Sequence, residues 1–157
     1  MSKILDIVKC FDSYEGISKN NLASSLETLS KELYTQNKES SVVAIINSPS
    51  DVMIDYASKK QGIDENGFLH MEIPGGVYTK LQNSKSNILF VPNVEPREVS
   101  YYIYSKKPGQ IYLIIIQVNQ NGEKEYKEFN DISSDEKSVA IVFGNSLKMD
   151  YNGDTVF

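Results

Sequence analysis

Eight consecutive residues, Ile111 to Val118, read IYLIIIQV and are broken only by Gln117. A run of that length suits a strand better than a helix. Because it is apolar without alternation, it suits a strand covered on both faces. On its N-terminal side, Val99, Tyr101 and Ile103 alternate with Ser100, Tyr102 and Tyr104. On its C-terminal side, Asn121-Gly122 supplies two residues suited to the positive-φ positions of a type I′ hairpin turn. Lys106-Lys107-Pro108-Gly109 marks a turn before it. The expectation is three consecutive antiparallel strands, a β-meander at the heart of a sandwich.

From Ser41 onward the chain consists of short apolar runs bounded by turn residues. Strands are expected over 42–47, 52–57, 68–73, 77–81, 87–91, 138–143, 147–151 and 154–157. Turns at Asn66-Gly67, Pro74-Gly75-Gly76, Asn121-Gly122 and Asn152-Gly153 are spaced as in an all-β sandwich. Before Ser41 the period lengthens to that of a helix. Ile4, Leu5, Ile7, Val8 and Phe11 suit a helix over 3–11, with Gly16 ending it or the turn after it. Leu22, Leu26, Leu29 and Leu33 stripe a second helix over about 22–34, capped by Asn20 or Asn21. The expected fold class is mainly β: an antiparallel β-sandwich preceded by two N-terminal amphipathic α-helices. It forms one domain over residues 1–157, with 1–37 helical, a polar linker over 35–41 and the sandwich in 41–157.

A chain of 157 residues is long enough to bury a core. Its net charge of −5 and lack of a basic stripe argue against a nucleic-acid partner and against adsorption to anionic membranes. A neutral or zwitterionic partner is not repelled. The interrupted N-terminal apolar segment lacks a cleavage site for a signal peptide. Synthesis in the cytoplasm is the expectation, with release and action on membranes outside the cell left open.

Chemistry-bearing residues are few. The single cysteine, Cys10, excludes an internal disulfide framework and reads as a small buried hydrophobe on a helix. The single histidine, His70, falls in an expected strand. A Cys10–His70 nucleophile–base pair is a third, enzymatic reading, but no oxyanion or elbow signature accompanies either residue. One Cys and one His do not make a zinc site, so no metal and no cofactor is expected. Asp150, Asn152 and Asp154 alternate around a glycine, and Asp64, Glu65 and Asn66 cluster in another loop; both would suit calcium, or simply a solvated hairpin tip.

Ten tyrosines and no tryptophan leave Tyr102, Tyr104, Tyr112 and Tyr126 in or beside the central strands as candidate headgroup or ligand contacts. Phenol rings join an apolar body to a hydrogen-bonding tip, which suits membrane interfaces, choline-type cations and sugar rings. High strand propensity accounts for the same residues. The leucine stripe carries the same choice. Leu22, Leu26, Leu29 and Leu33 either pack on the sandwich or form a membrane-insertion helix.

The order of parts resembles the actinoporin-like and aegerolysin-like group of β-sandwich cytolysins. LASSLETLSKELYTQNKESSVVAIINSPSD is similar to their amphipathic helix, polar linker and first strand, closing in an Asn47-Ser48-Pro49-Ser50 turn. IPGGVYTKL, residues 73–81, is similar to their proline–glycine segment. VSYYIYSKKPGQIYLIIIQV looks like their central hairpin. The resemblance spans roughly residues 22 to 120, by pattern and order. It departs where the family has a Ser-x-Pro for phosphocholine, since Gln117 and Asn119 stand there. The tryptophan-rich membrane loop is missing, only Tyr126 in EYKEF falls near the family's tyrosine cluster, and the helix over 3–11 has no counterpart.

The resemblance and the residues together point to a non-enzymatic, membrane-interacting protein of pore-forming or lipid-binding type. Its partner would be a zwitterionic membrane, with self-assembly there as a homo-oligomer. The alternative is a soluble module that binds a glycan or a protein, lectin-like.

Overall fold

The computed structural model describes residues 19–47, 50–81, 85–105, 108–134, 139–144 and 146–150. Helix α1 spans Lys19–Asn37. It is followed by strands β1 (Ser41–Asn47), β2 (Asp51–Tyr56), β3 (Lys59–Ile63), β4 (Leu69–Met71), β5 (Val77–Leu81) and β6 (Ser86–Pro92). A 3-10 turn at Pro96–Glu98 leads to β7 (Ser100–Tyr104), β8 (Gly109–Val118), β9 (Lys124–Ser134), β10 (Val139–Phe143) and β11 (Ser146–Asp150). The strands form two sheets, a five-stranded one in the order β5-β6-β1-β8-β9 and a six-stranded one in the order β11-β10-β7-β2-β3-β4. Every pair of neighbours is antiparallel.

Two apolar layers hold the structure. Between the sheets lie Val42, Ala44, Ile46, Leu113 and Ile115 from one side and Val52, Ile54, Tyr101, Ile103 and Val142 from the other. On the far side of the five-stranded sheet, Val43, Ile45, Ile88, Phe90, Ile114 and Ile116 meet Leu22, Ala23, Leu26 and Leu29 of α1. Alternate residues of β1 and β8 thus enter different layers, and neither face sees water. That double covering is why the octet is apolar without alternation.

The end of α1 is pinned in place. Lys38 adopts φ 57 and its N–H donates to the Tyr34 carbonyl at 2.7 Å, a left-handed helix stop made without glycine. The Tyr34 hydroxyl donates to the Gln120 carbonyl at 3.0 Å, and its ring fills the space beside Gly122. Glu27 pairs with Lys124 on β9. The helix is therefore tied to the β8–β9 hairpin by polar contacts as well as by its stripe.

The expected meander does not form. Strand β8 pairs with β1 and β9, while β7 pairs with β2 and β10 in the other sheet. The chain crosses from one sheet to the other between β7 and β8, so Tyr101 faces β8 across the core and not along a ladder. The Asn121-Gly122 turn also differs. Gly122 alone is left-handed, and its N–H reaches the Asn119 carbonyl at 3.0 Å while Asn119 N–H reaches the Glu123 carbonyl. This is a three-residue loop closed by a glycine bulge. The two-residue turn with both φ positive sits instead between β2 and β3, at Ala57 (φ 51) and Ser58 (φ 66).

Strand β3 was not expected. Its sequence, KKQGI, has no alternation, and Gly62 (φ 117) lies so close to the Val52 backbone that a side chain would collide with it. The strand expected over 68–73 is shorter, Leu69–Met71. Of the two expected helices one is described; the helix over 3–11 and the strand over 154–157 lie outside the described residues.

Candidate functional site

The four tyrosines proposed as ligand contacts occupy opposite faces of the sandwich, two on each. Tyr102 and Tyr104 alternate with core residues on β7 and so stand half-buried on the outer face of the six-stranded sheet. Tyr102 is level with Met53 and Ile141, and Tyr104 with Asp51 and Val139. Burial pushes the Tyr104 hydroxyl up to about 12, with Glu65, Tyr102 and Asp64 adding to the effect. Tyr104 is beside Asp51 of β2, which in turn pairs with β3, so it stands on the same sheet face two strands from the loop after β3.

Tyr112 and Tyr126 belong to the other side. Tyr112 packs at the edge of the layer beneath α1, and its hydroxyl shares a 2.8 Å hydrogen bond with Ser86 Oγ. Burial raises its pKa against the opposing effect of that bond. Tyr126 pairs with Ile116 and is exposed. Its pKa is raised by partial burial, then by Glu128 and Glu27. No single site collects all four rings. Leu22, Leu26 and Leu29 are buried against the sheet and Leu33 is half-buried at its margin, so the stripe faces protein.

The β3–β4 hairpin presents a surface that sequence reasoning missed. Phe68, Leu69 and Met71 are 67%, 55% and 53% exposed. They lie at and after the tip, with β4 as the last strand of its sheet. The signal in the sequence was Phe68-Leu69 directly after Asn66-Gly67, apolar residues where a solvated tip has none.

Beneath them the hairpin is braced by carboxylates. His70 Nε2 lies 2.8 Å from Asp64 Oδ2, and Nδ1 lies 3.4 Å from Glu72 Oε2. Asp64 Oδ1 also accepts from the N–H groups of Asn66 and Phe68, and Glu72 Oε1 accepts from Lys60 N–H at 3.0 Å. The hydrogen bond to Asp64 raises the His70 pKa, aided by Glu72. The same bond lowers that of Asp64, while the Lys60 N–H is the main cause lowering that of Glu72. His70 thus has carboxylates at both ring nitrogens. Cys10, its suggested partner, lies outside the described residues, as do Asn152 and Asp154 of one suggested calcium loop.

Near the other end of β7 a cleft of about 360 Å³ opens between the 3-10 turn and the β8–β9 hairpin. Gln117, Arg97, Lys124 and Glu125 line it, with Glu95 and Asn119. Among the described residues no group of three or more His, Cys, Asp or Glu side chains is placed to hold a metal ion. No described helix is long and apolar enough to cross a membrane.

These elements define an antiparallel β-sandwich with a helix packed on the outside of one sheet. No family model matches the chain, and no curated protein or solved structure matches it either.

Proposed function

We propose that this protein is a non-enzymatic binding module that docks on zwitterionic lipid surfaces through the β3–β4 hairpin. The observation that carries the reading is the exposure of Phe68, Leu69 and Met71 along one edge. Asp64, Glu65 and Glu72 beside Lys59 and Lys60 give that edge both signs of charge, which suits a headgroup carrying both. Tyr104, an amphipathic ring on the same sheet, adds an interface contact.

The energetics favour reversible docking. Completing the burial of three half-exposed apolar side chains yields roughly 1 kcal/mol each. That is peripheral association, weaker than a single acyl anchor. Pore formation, the stronger reading of the resemblance, requires α1 to leave the five-stranded sheet. Release would expose Leu22, Leu26 and Leu29 together with the sheet face beneath them, on the order of 10 kcal/mol of lost burial. In this reading α1 stays docked until lipid or a second copy of the chain covers both surfaces. The proposal extends to action on membranes outside the cell and to assembly there as a homo-oligomer.

Co-sedimentation with phosphatidylcholine vesicles, with and without sphingomyelin, tests it. Binding by the native chain that is lost in Phe68→Ser/Leu69→Ser supports the reading, and dye release separates docking from pore formation. Absence of binding to every such vesicle removes it.

A further inference from the structure

The cleft between the 3-10 turn and the β8–β9 hairpin lies at the opposite end of β7 from Tyr104. Its floor is Gln117, 5% exposed, whose Nε2 donates to the Tyr101 hydroxyl at 2.8 Å within the core. One N–H of the amide is used on Tyr101, which fixes the side chain that lines the cleft and leaves its second N–H and its carbonyl oxygen for further bonds.

Both walls are built before any ligand arrives. Glu95 N–H donates to the Tyr56 hydroxyl at 3.2 Å, and the Glu95 carboxylate accepts from Arg97 N–H at 3.4 Å. These bonds hold the turn that carries Arg97. On the other side, Asn119 Oδ1 accepts from the N–H groups of Asn121 and Glu123, shaping the hairpin that carries Lys124 and Glu125. The backbone of both walls is thus ordered, and the freedom lost on binding is that of the exposed Arg97 and Glu125 side chains.

The lining decides the chemistry of the ligand. Three carboxylates, Glu95, Glu123 and Glu125, stand against two cations, Arg97 and Lys124. Lys124 is already paired with Glu27, and Arg97 Nε lies 3.9 Å from Glu95. The Lys124 ammonium is turned to Glu27 of α1, so an anion meets the carboxylates and a cation meets the Arg97 guanidinium. A neutral molecule with many hydroxyls, each both donor and acceptor, can pair with amide, carboxylate and guanidinium together. The volume suits one or two sugar rings.

We propose that this cleft binds a neutral saccharide, with Gln117, Arg97 and Glu125 as its polar contacts. The site is separate from the β3–β4 hairpin, so either proposal can fail without the other.

The test is a two-dimensional amide NMR titration of the full chain with glucose, galactose, mannose, lactose and maltose. Each is taken to about 50 mM, a range that reveals millimolar binding. The proposal expects saturable shifts for at least one sugar at residues 95–97 and 117–125. Arg97→Ala and Glu125→Ala, both at exposed positions that leave the core intact, should each weaken that binding about tenfold. No saturable shift with any of these sugars overturns the proposal. So do shifts located elsewhere, or affinity unchanged in both variants. Phosphate and arginine serve as charged controls, and tighter binding of either at the same amides overturns the neutral-ligand assignment.

Discussion

Gln117 and Tyr101, on strands of different sheets, meet inside the core through a 2.8 Å hydrogen bond from amide to phenol. Burial raises the Tyr101 pKa above its ordinary value, so the hydroxyl stays neutral and accepts. A buried polar pair of this kind is worth little in net terms but is expensive to break on one side. Tyr101→Phe or Gln117→Leu alone should lose about 1–3 kcal/mol in urea unfolding. The double variant should recover much of the loss. Additive losses would show that the two groups do not depend on each other.

The helix and the sheet beneath it should be thermodynamically inseparable. Leu26→Ala opens a cavity in the second apolar layer and should cost about 2–5 kcal/mol. A chain lacking residues 1–37 uncovers Val43, Ile45, Ile88, Phe90, Ile114 and Ile116 at once. It should bind the dye ANS and associate, as read by light scattering. A monomeric truncated chain with native thermal stability would contradict the role assigned to α1.

The β3–β4 hairpin should be most stable in weakly acidic solution. His70 has a raised pKa in the folded state, so its contribution is complete below the unfolded value of 6.5. It is lost as pH rises through the higher folded value. Asp64 and Glu72 have lowered values, so their contribution is present above the ordinary carboxylate range and fades as pH falls through the folded values. Hydrogen exchange of the amides at 64–72 should therefore be slowest between those limits, after correction for intrinsic rates. In His70→Gln the loss of protection on the alkaline side should vanish. A folded-state His70 titration at or below 6.5 by NMR would refute the bracing assigned to these carboxylates.

Among the described residues, left-handed backbone outside glycine occurs at Lys38, Ala57, Ser58, Lys85 and Asn93, and two of these places offer a clean test. Ala57 and Ser58 form the β2–β3 turn, and Lys38 stops α1. Ala57→Asn, Ser58→Gly and Lys38→Gly should each relieve backbone strain and add about 0.5–1 kcal/mol, net of the freedom glycine gains in the unfolded chain. Differential scanning calorimetry should show a higher melting temperature for each variant. The gains should be additive between the two sites, one at the end of α1 and the other between β2 and β3.

Much of the fold was legible because burial leaves a local trace. The octet Ile111–Val118, the paired runs of β1 and β6 and the leucine stripe of α1 each report how many of their faces are covered. Val77–Leu81 agreed at both ends. Strand β3 was not legible because Lys59-Lys60-Gln61-Gly62 carries no apolar alternation; its ladder bonds to β2 and β4 hold it. The Ala57-Ser58 turn was hidden because neither residue prefers the conformation it adopts.

The candidate surfaces were less legible than the strands. Alternation placed Tyr102 and Tyr104 on one face of a strand, but not Tyr112 and Tyr126 on the far side of the molecule. That division follows from the crossing between β7 and β8, a choice of long-range partner that a period of two does not encode. The sequence alone determined where the main apolar segments lie and how many sides of each needed cover, because these depend on neighbours a few residues away. Tertiary structure decided which covers were used. It placed the leucine stripe against Ile114 and Ile116, left Phe68, Leu69 and Met71 in water, and brought Gln117 to the floor of a cleft, since burial is shared among residues far apart in the chain.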